Sequence, residues 1–242
     1  MEISSTFICN LSQAVRIGYT TAMIITIDGP AGAGKSTVAR RLAGRLGIAY
    51  LDTGTTYRAV TLKALRDKVN LADASALAET ARRANIELTC LPDGTRVLLD
   101  GRDVTQEIRS AEVSEKSHHI AQSPGAREVL VELQRRLGKS IGAFVAEGRD
   151  QGSVVFPEAD VKFYLDAKPS VRARRRCDEM ADRGEQADYQ GVLAAILRRD
   201  SRDRRRDVAP LVKPKGAVEI DTSDMTIEQV VDHLVNCLER KR

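Results

Sequence analysis

Three histidines, His118, His119 and His233, and four cysteines, Cys9, Cys90, Cys177 and Cys237, are all that 242 residues hold of the two residue types that most often build zinc sites. The histidines are too few and too dispersed for histidine-centred zinc chemistry. The cysteines stand singly, with no C-x-x-C pair, as expected of reduced thiols in the cytoplasm. Internal repeats and low-complexity linkers are lacking too. The first 22 residues hold no apolar run of spanning length and no charged-then-apolar order of a signal peptide, so neither a membrane partner nor export is expected. Met1 to Ala22 read as a loose tail, or as translation begun at a start codon too early, ahead of a domain over 23–242. Charge is not scarce: 30% of residues are charged and 42% hydrophobic, enough for one α/β core with insertions. The basic residues are 28 Arg to 10 Lys, and the guanidinium fork is the better bidentate partner for phosphate oxygens. A genome that favours arginine codons would give the same bias, so placement decides.

The chain is organised around Gly29, Pro30, Ala31, Gly32, Ala33, Gly34, Lys35, Ser36 and Thr37. Before them Met23 to Ile27 is short, apolar and β-branched, a buried strand. After them Val38, Leu42 and Leu46 keep helical spacing. Strand, glycine loop, helix is the context in which G-x-x-x-x-G-K-[ST] cradles phosphate. Glycine lets the backbone curl round an anion with its N–H groups inward, at the positive end of the helix. Lys35 then reaches the β and γ phosphates, and the Ser36 hydroxyl enters the shell of a magnesium ion.

The remaining periodicities place strands at Ile48–Leu51, Ala143–Ala146, Val161–Leu165 and Ala217–Ile220, with helices between them. Five core strands separated by helices predict a parallel sheet covered on both faces, an α/β fold of the P-loop NTPase type. Between Ile86 and Leu99 the period turns extended around Pro92, Asp93 and Gly94, with a second Asp-Gly at Asp100 and Gly101, which predicts a small antiparallel insert. An arginine-rich helix opens at Pro169, pauses over the polar Asp182 to Asp188, and resumes from Gly191 to Arg206.

Arg199, Asp203 and Arg206 fall at i, i+4 and i+7, one stripe of that last helix. The stripe could bind a ligand, or be one face of a helix laced with ion pairs. Interleaved aspartates and the absence of an aromatic among these arginines argue against nucleic acid. Arg172, Arg174, Arg175 and Arg176 form a second cluster, either a closing segment over a triphosphate or a solvated face. Glu147, Gly148, Arg149 and Asp150 follow a core strand at its carboxyl end, where open α/β sheets bind ligands. A buried ion pair is the alternative there.

With these motifs in view the chain resembles bacterial cytidylate kinases, nucleoside monophosphate kinases of the P-loop superfamily. The resemblance runs from Met23 to about Leu238 and rests on ITIDGPAGAGKST (Ile25 to Thr37), LDTGTTYRA (Leu51 to Ala59), GRDVTQEIR (Gly101 to Arg109), EGRDQGSVVFP (Glu147 to Pro157) and RRDSRDRRRDVAPL (Arg198 to Leu211). It implies transfer of the γ-phosphoryl group of Mg-ATP to CMP or dCMP by a cytoplasmic monomer. The insert, about 57–125, would belong to the monophosphate-binding region and the arginines of about 172–190 to a lid. Thr53, Arg58, Arg149 and Arg206 match positions on the acceptor's phosphate, Arg127 and Asp150 those on cytosine, Arg199 and Asp203 those on the ribose, with Tyr57 alongside. His118 stands where the family often has a small hydroxyl residue, with Ser117 adjacent. Arg172, Arg175 and Arg176 match the lid over ATP, and Lys35, Arg149, Arg175 and Arg206 the groups that stabilise transferring charge. Magnesium is the implied cofactor. Two alternatives stand beside this: a P-loop kinase for UMP, AMP or an alcohol, the last with Asp28 or Asp150 as base, and a non-catalytic nucleotide-binding switch or RNA-binding module, although the [NT]-K-x-D motif that resemblance to GTPase switches would imply does not occur in this sequence.

Overall fold

The computed structural model describes residues 23–91 and 94–240. The expected tail or early start at Met1 to Ala22, and Pro92 and Asp93 of the expected turn, lie outside the described residues.

The chain runs β1 (Ile24–Asp28), α1 (Lys35–Leu46), β2 (Ala49–Asp52), α2 (Gly54–Arg66), α3 (Ala74–Arg83), then β3 (Ile86–Leu91), β4 (Gly94–Leu99) and β5 (Arg102–Asp103). Next come α4 (Ala111–Gln122), α5 (Pro124–Ile141), β6 (Phe144–Glu147), β7 (Val161–Asp166), α6 (Pro169–Ala181), α7 (Tyr189–Arg204), β8 (Val218–Asp221) and α8 (Ile227–Glu239). Five strands form the expected sheet in the order β2-β6-β1-β7-β8. It pairs in parallel, Ile25 opposite Val161 and Phe163 opposite Val218. Every residue of β2 and β6 is buried, as a sheet covered on both faces requires. The insert is a separate antiparallel sheet, β3-β4-β5, in which Ile86 faces Leu99 and Leu98 faces Asp103. Its third strand, only two residues long, was not expected. Along β4 burial alternates, Thr95, Val97 and Leu99 inward and Arg96 outward, the mark of a sheet with one wet face.

Local signals set the helix starts. Asp73 caps α3 by accepting from the Ser75 and Ala76 amides, Ser123 caps α5 with Pro124 in its first turn, and Thr226 with Gln229 forms a capping box on α8.

The described chain divides into two compact units. One holds residues 23–24 and Ala43–Ala146. In it α3 packs along α5 and α2 against α4, around Leu77, Ala81, Leu130 and Leu137, and Gln134 donates to the Thr56 hydroxyl at 3.0 Å within the core. The other holds Ile25–Leu42 and residues 147–240. There α6 packs on α7 and β7 on β8, over a core that includes Val38, Leu42, Phe163, Leu165 and Leu234. Among the described residues no helix is long and apolar enough to cross a membrane.

Candidate active site

The second unit carries the glycine loop. Gly29 leaves β1 at φ 144°, and a Cβ there would lie 1.9 Å from the Leu165 carbonyl oxygen, so no other residue fits. Helix α1 begins at Lys35 itself, which places the loop amides at a helix N-terminus. Lys35 is only 5% exposed and its Nζ donates to the Pro30 carbonyl at 2.7 Å. Burial, then the positive charge of Arg149, lower its pKa to about 7. Arg199 pushes the same way, and Glu147 and Asp28 oppose. A buried lysine whose charged form is disfavoured by burial and by neighbouring cations marks a site for an anion. The Ser36 hydroxyl donates to Glu147 Oε1 at 2.7 Å. Hydroxyl and carboxylate are hard oxygens suited to Mg2+, which keeps several waters and phosphate oxygens rather than a full protein cage. Among the described residues no group of three or more His, Cys, Asp or Glu gathers at metal-binding distance.

The segment after β6 lies in the same unit. Arg149 Nε donates to Asp203 Oδ2 at 3.2 Å and its Nη1 to the Gly148 carbonyl at 3.1 Å. Asp28, wholly buried, accepts from the Gln151 and Gly152 amides at 2.8 Å each, one on each oxygen. Burial raises its pKa to about 7 against those two amides. A carboxyl group without exposure and with both oxygens engaged has no face to offer a substrate hydroxyl, so Asp28 is not the base an alcohol kinase would need.

Of the α6 arginines, Arg175 lies beside the glycine loop. Its Nη2 donates to the Thr222 carbonyl at 2.5 Å, Nη1 to the Thr222 hydroxyl at 3.2 Å, and Nη1 lies 3.9 Å from where a Cβ on Gly34 would be. Arg176 pairs with Glu179 at 2.9 Å on the exposed side of the helix. Arg172 differs from its expected place over ATP. It is 1% exposed and its guanidinium is spent on the Ala167 carbonyl, the Ala31 carbonyl and Asp200 Oδ2, at 2.8, 3.0 and 2.6 Å. It holds the glycine loop through Ala31. The expected stripe of α7 also ends early: the helix stops at Arg204, so Arg206, 9% exposed, lies beyond it while Arg199 and Asp203 remain on it. The α7 aspartates pair away from their own helix, Asp200 with Arg172 and Asp203 with Arg149.

The first unit holds the other expected residues. Thr53 is buried ahead of α2, and Arg58 Nη2 donates to Asp52 at 2.9 Å while its buried Nε has no hydrogen-bond partner among the described residues. Arg127, 3% exposed, lies with its guanidinium carbon 5.7 Å from the centre of the Tyr57 ring, which orients both side chains. His118 turns back on its own helix, bonding the Glu115 carbonyl through Nδ1 at 2.7 Å and stacking on His119 with ring centres 4.1 Å apart.

Three residues that reasoning from sequence gave no role are part of this apparatus. Glu147 had a signal, an acid closing a core strand beside the phosphate loop. Thr222 and Asp200 had none, since their partners, Arg175 and Arg172, are 47 and 28 residues away.

A glycine loop opening a helix, a buried lysine folded into it and an arginine at its rim are the parts of a P-loop phosphotransferase, and that is the class the fold and this unit define. A family model described as cytidylate kinase matches residues 25–240. A cytidylate kinase of Caldanaerobacter subterraneus is 47% identical over 218 residues, covering 89% of this chain and 94% of that one. That of Desulforamulus reducens is 49% identical over 216 residues, covering 89% and 96%, and that of Mycobacterium avium 46% over 212, covering 88% and 93%. The chain belongs to the cytidylate kinase family.

Proposed function

We propose that the chain transfers the γ-phosphoryl group of ATP to CMP or dCMP, giving ADP and CDP or dCDP. The observation that carries the reading is the burial of Lys35 within the glycine loop, its Nζ on the Pro30 carbonyl, with Arg149 and Arg199 adding to the effect of burial on its charge, in a chain of this family. An oxygen of the acceptor's phosphate, already anionic near neutral pH, attacks the γ-phosphorus as the bond to the β–γ bridging oxygen breaks. No proton has to be removed, so positioning and charge stabilisation do the catalysis.

On the donor side Gly29 to Thr37 wrap the ATP phosphates, Lys35 and Arg175 face the transferring group, and Arg176 closes over the nucleotide. Ser36, with Glu147 behind it, would hold Mg2+, whose charge when bound neutralises the phosphate oxygens. On the acceptor side Thr53, Arg58, Arg149 and Arg206 hold the phosphate. Arg127, Asp150 and His118 read the base, with Tyr57 orienting Arg127, and Arg199 and Asp203 meet the ribose. The Nε of Arg58, without a hydrogen-bond partner among the described residues, supports an anion there. A cytoplasmic monomer without a nucleic-acid partner goes with such small substrates.

The test is ADP release from Mg-ATP with CMP, dCMP, UMP, AMP or no acceptor. Turnover confined to CMP and dCMP is expected. Faster turnover with UMP or AMP would overturn the base-site assignments.

A further inference from the structure

Asp28 stands immediately before the glycine loop, and the base role considered for it fails on burial, yet it is a fully buried acid at the end of a core strand. Burying a carboxyl group is costly unless it is fully hydrogen-bonded, so its partners show what it is for. They are the amides of Gln151 and Gly152, at 2.8 Å each. These amides open the π-helical turn Gln151–Val155, whose own preceding residue, Asp150, provides no side-chain cap. Asp28 therefore caps from 123 residues away a turn that its neighbour leaves uncapped. One residue earlier, the Ile27 carbonyl accepts the Gly148 amide at 3.1 Å. The last two residues of β1 thus grip the segment at both ends, and between the grips lie Arg149 and Asp150. Gly152 fits this grip closely: a Cβ there would lie 2.7 Å from the Thr26 hydroxyl and 3.1 Å from Pro214.

The geometry points to Asp28 as a positioning residue of phosphoryl transfer, which clamps the Arg149–Asp150 segment to the strand that launches the glycine loop and so fixes acceptor-binding groups to the donor cradle. The inference rests on Arg149 and Asp150 holding CMP, as proposed above. It makes Asp28 a residue of the acceptor side although it adjoins the ATP loop in sequence.

Asp28→Asn tests it, because the amide keeps the shape but turns an NH2 group toward one backbone N–H. Misplacing a positioned group by about 1 Å costs on the order of 10²-fold in rate, so a loss of about 10- to 100-fold in kcat/KM for CMP is expected, with the ATP dissociation constant within about twofold of wild type. A weakening of ATP binding in step with CMP, or unchanged CMP kinetics, would overturn it. If the variant does not fold, hydrogen exchange in the wild-type protein decides. The Gln151 and Gly152 amides are expected to exchange as slowly as those of β1, and exchange at loop rates would refute the clamp. Arg149→Ala run alongside separates the two readings. A raised CMP KM there with a silent Asp28→Asn sinks the clamp alone, while an unchanged KM in Arg149→Ala sinks the acceptor assignment beneath it.

Discussion

Asp200→Ala is the sharpest perturbation of the scaffold behind the glycine loop. Arg172 and Asp200 meet at 2.6 Å with side chains 2% and 7% exposed, and Arg172 also donates to the carbonyls of Ala167 and Ala31. Removing the carboxylate leaves a guanidinium buried against two neutral oxygens, and breaking a buried pair from one side costs about 3–5 kcal/mol. At about 2–4 °C per kcal/mol for a chain of this size, Tm should fall by roughly 6–20 °C. Arg172→Met combined with Asp200→Leu should recover much of that loss, because apolar residues of similar volume often replace a buried pair at little cost. The double variant should still bind ATP more weakly than wild type, since the bond from Arg172 to the Ala31 carbonyl is lost. Thermal melts followed by circular dichroism, with ATP binding measured on the folded variants, read both effects. A drop of less than about 2 °C in Asp200→Ala, or a double variant no more stable than the single, would refute the burial argument.

Lys35 supplies a pH prediction. Its pKa is lowered to about 7 in the unliganded protein, so above that pH much of the population holds it neutral, and the negative charge of ATP should draw a proton back. Calorimetry at pH 8 in buffers of different ionisation enthalpy should show proton uptake on ATP binding that disappears by pH 6, and no uptake at pH 8 would contradict the cause assigned. Arg175→Ala should cost about 10²- to 10³-fold in kcat, the scale for losing a charge stabiliser, with the fold intact by circular dichroism; a near-normal rate would remove it from the transition state. Glu147→Gln should raise the Mg2+ concentration for half-maximal rate about tenfold or more, as loss of an outer partner of a metal ligand does, while an unchanged Mg2+ titration would leave its bond to Ser36 purely structural.

Elements whose causes are local were legible in the sequence. The core strands are short, apolar and β-branched, the glycine loop carries its own geometry, and Pro169 marks a helix start, so the α/β sheet and the antiparallel insert could be read directly. Residues whose role depends on distant partners were not. Arg172 stands in a run of arginines that looks solvated, and only the approach of α7 and the Ala31 carbonyl buries it. The end of α7 at Arg204 has no glycine or proline at the break, so spacing alone extends the stripe to Arg206. The π-helical turn after Asp150 depends on Asp28, far away in sequence. The arginine clusters show the same limit, since spacing offered ligand binding and ion pairing equally and tertiary contacts gave different arginines different roles.

The most direct test of the central claim is a single turnover of [γ-32P]ATP with CMP in the presence of Mg2+, with products separated by chromatography. Label arriving in CDP, and little in inorganic phosphate, is the predicted result. Label released mainly as inorganic phosphate, or left in ATP with CMP at saturating concentration, would contradict it.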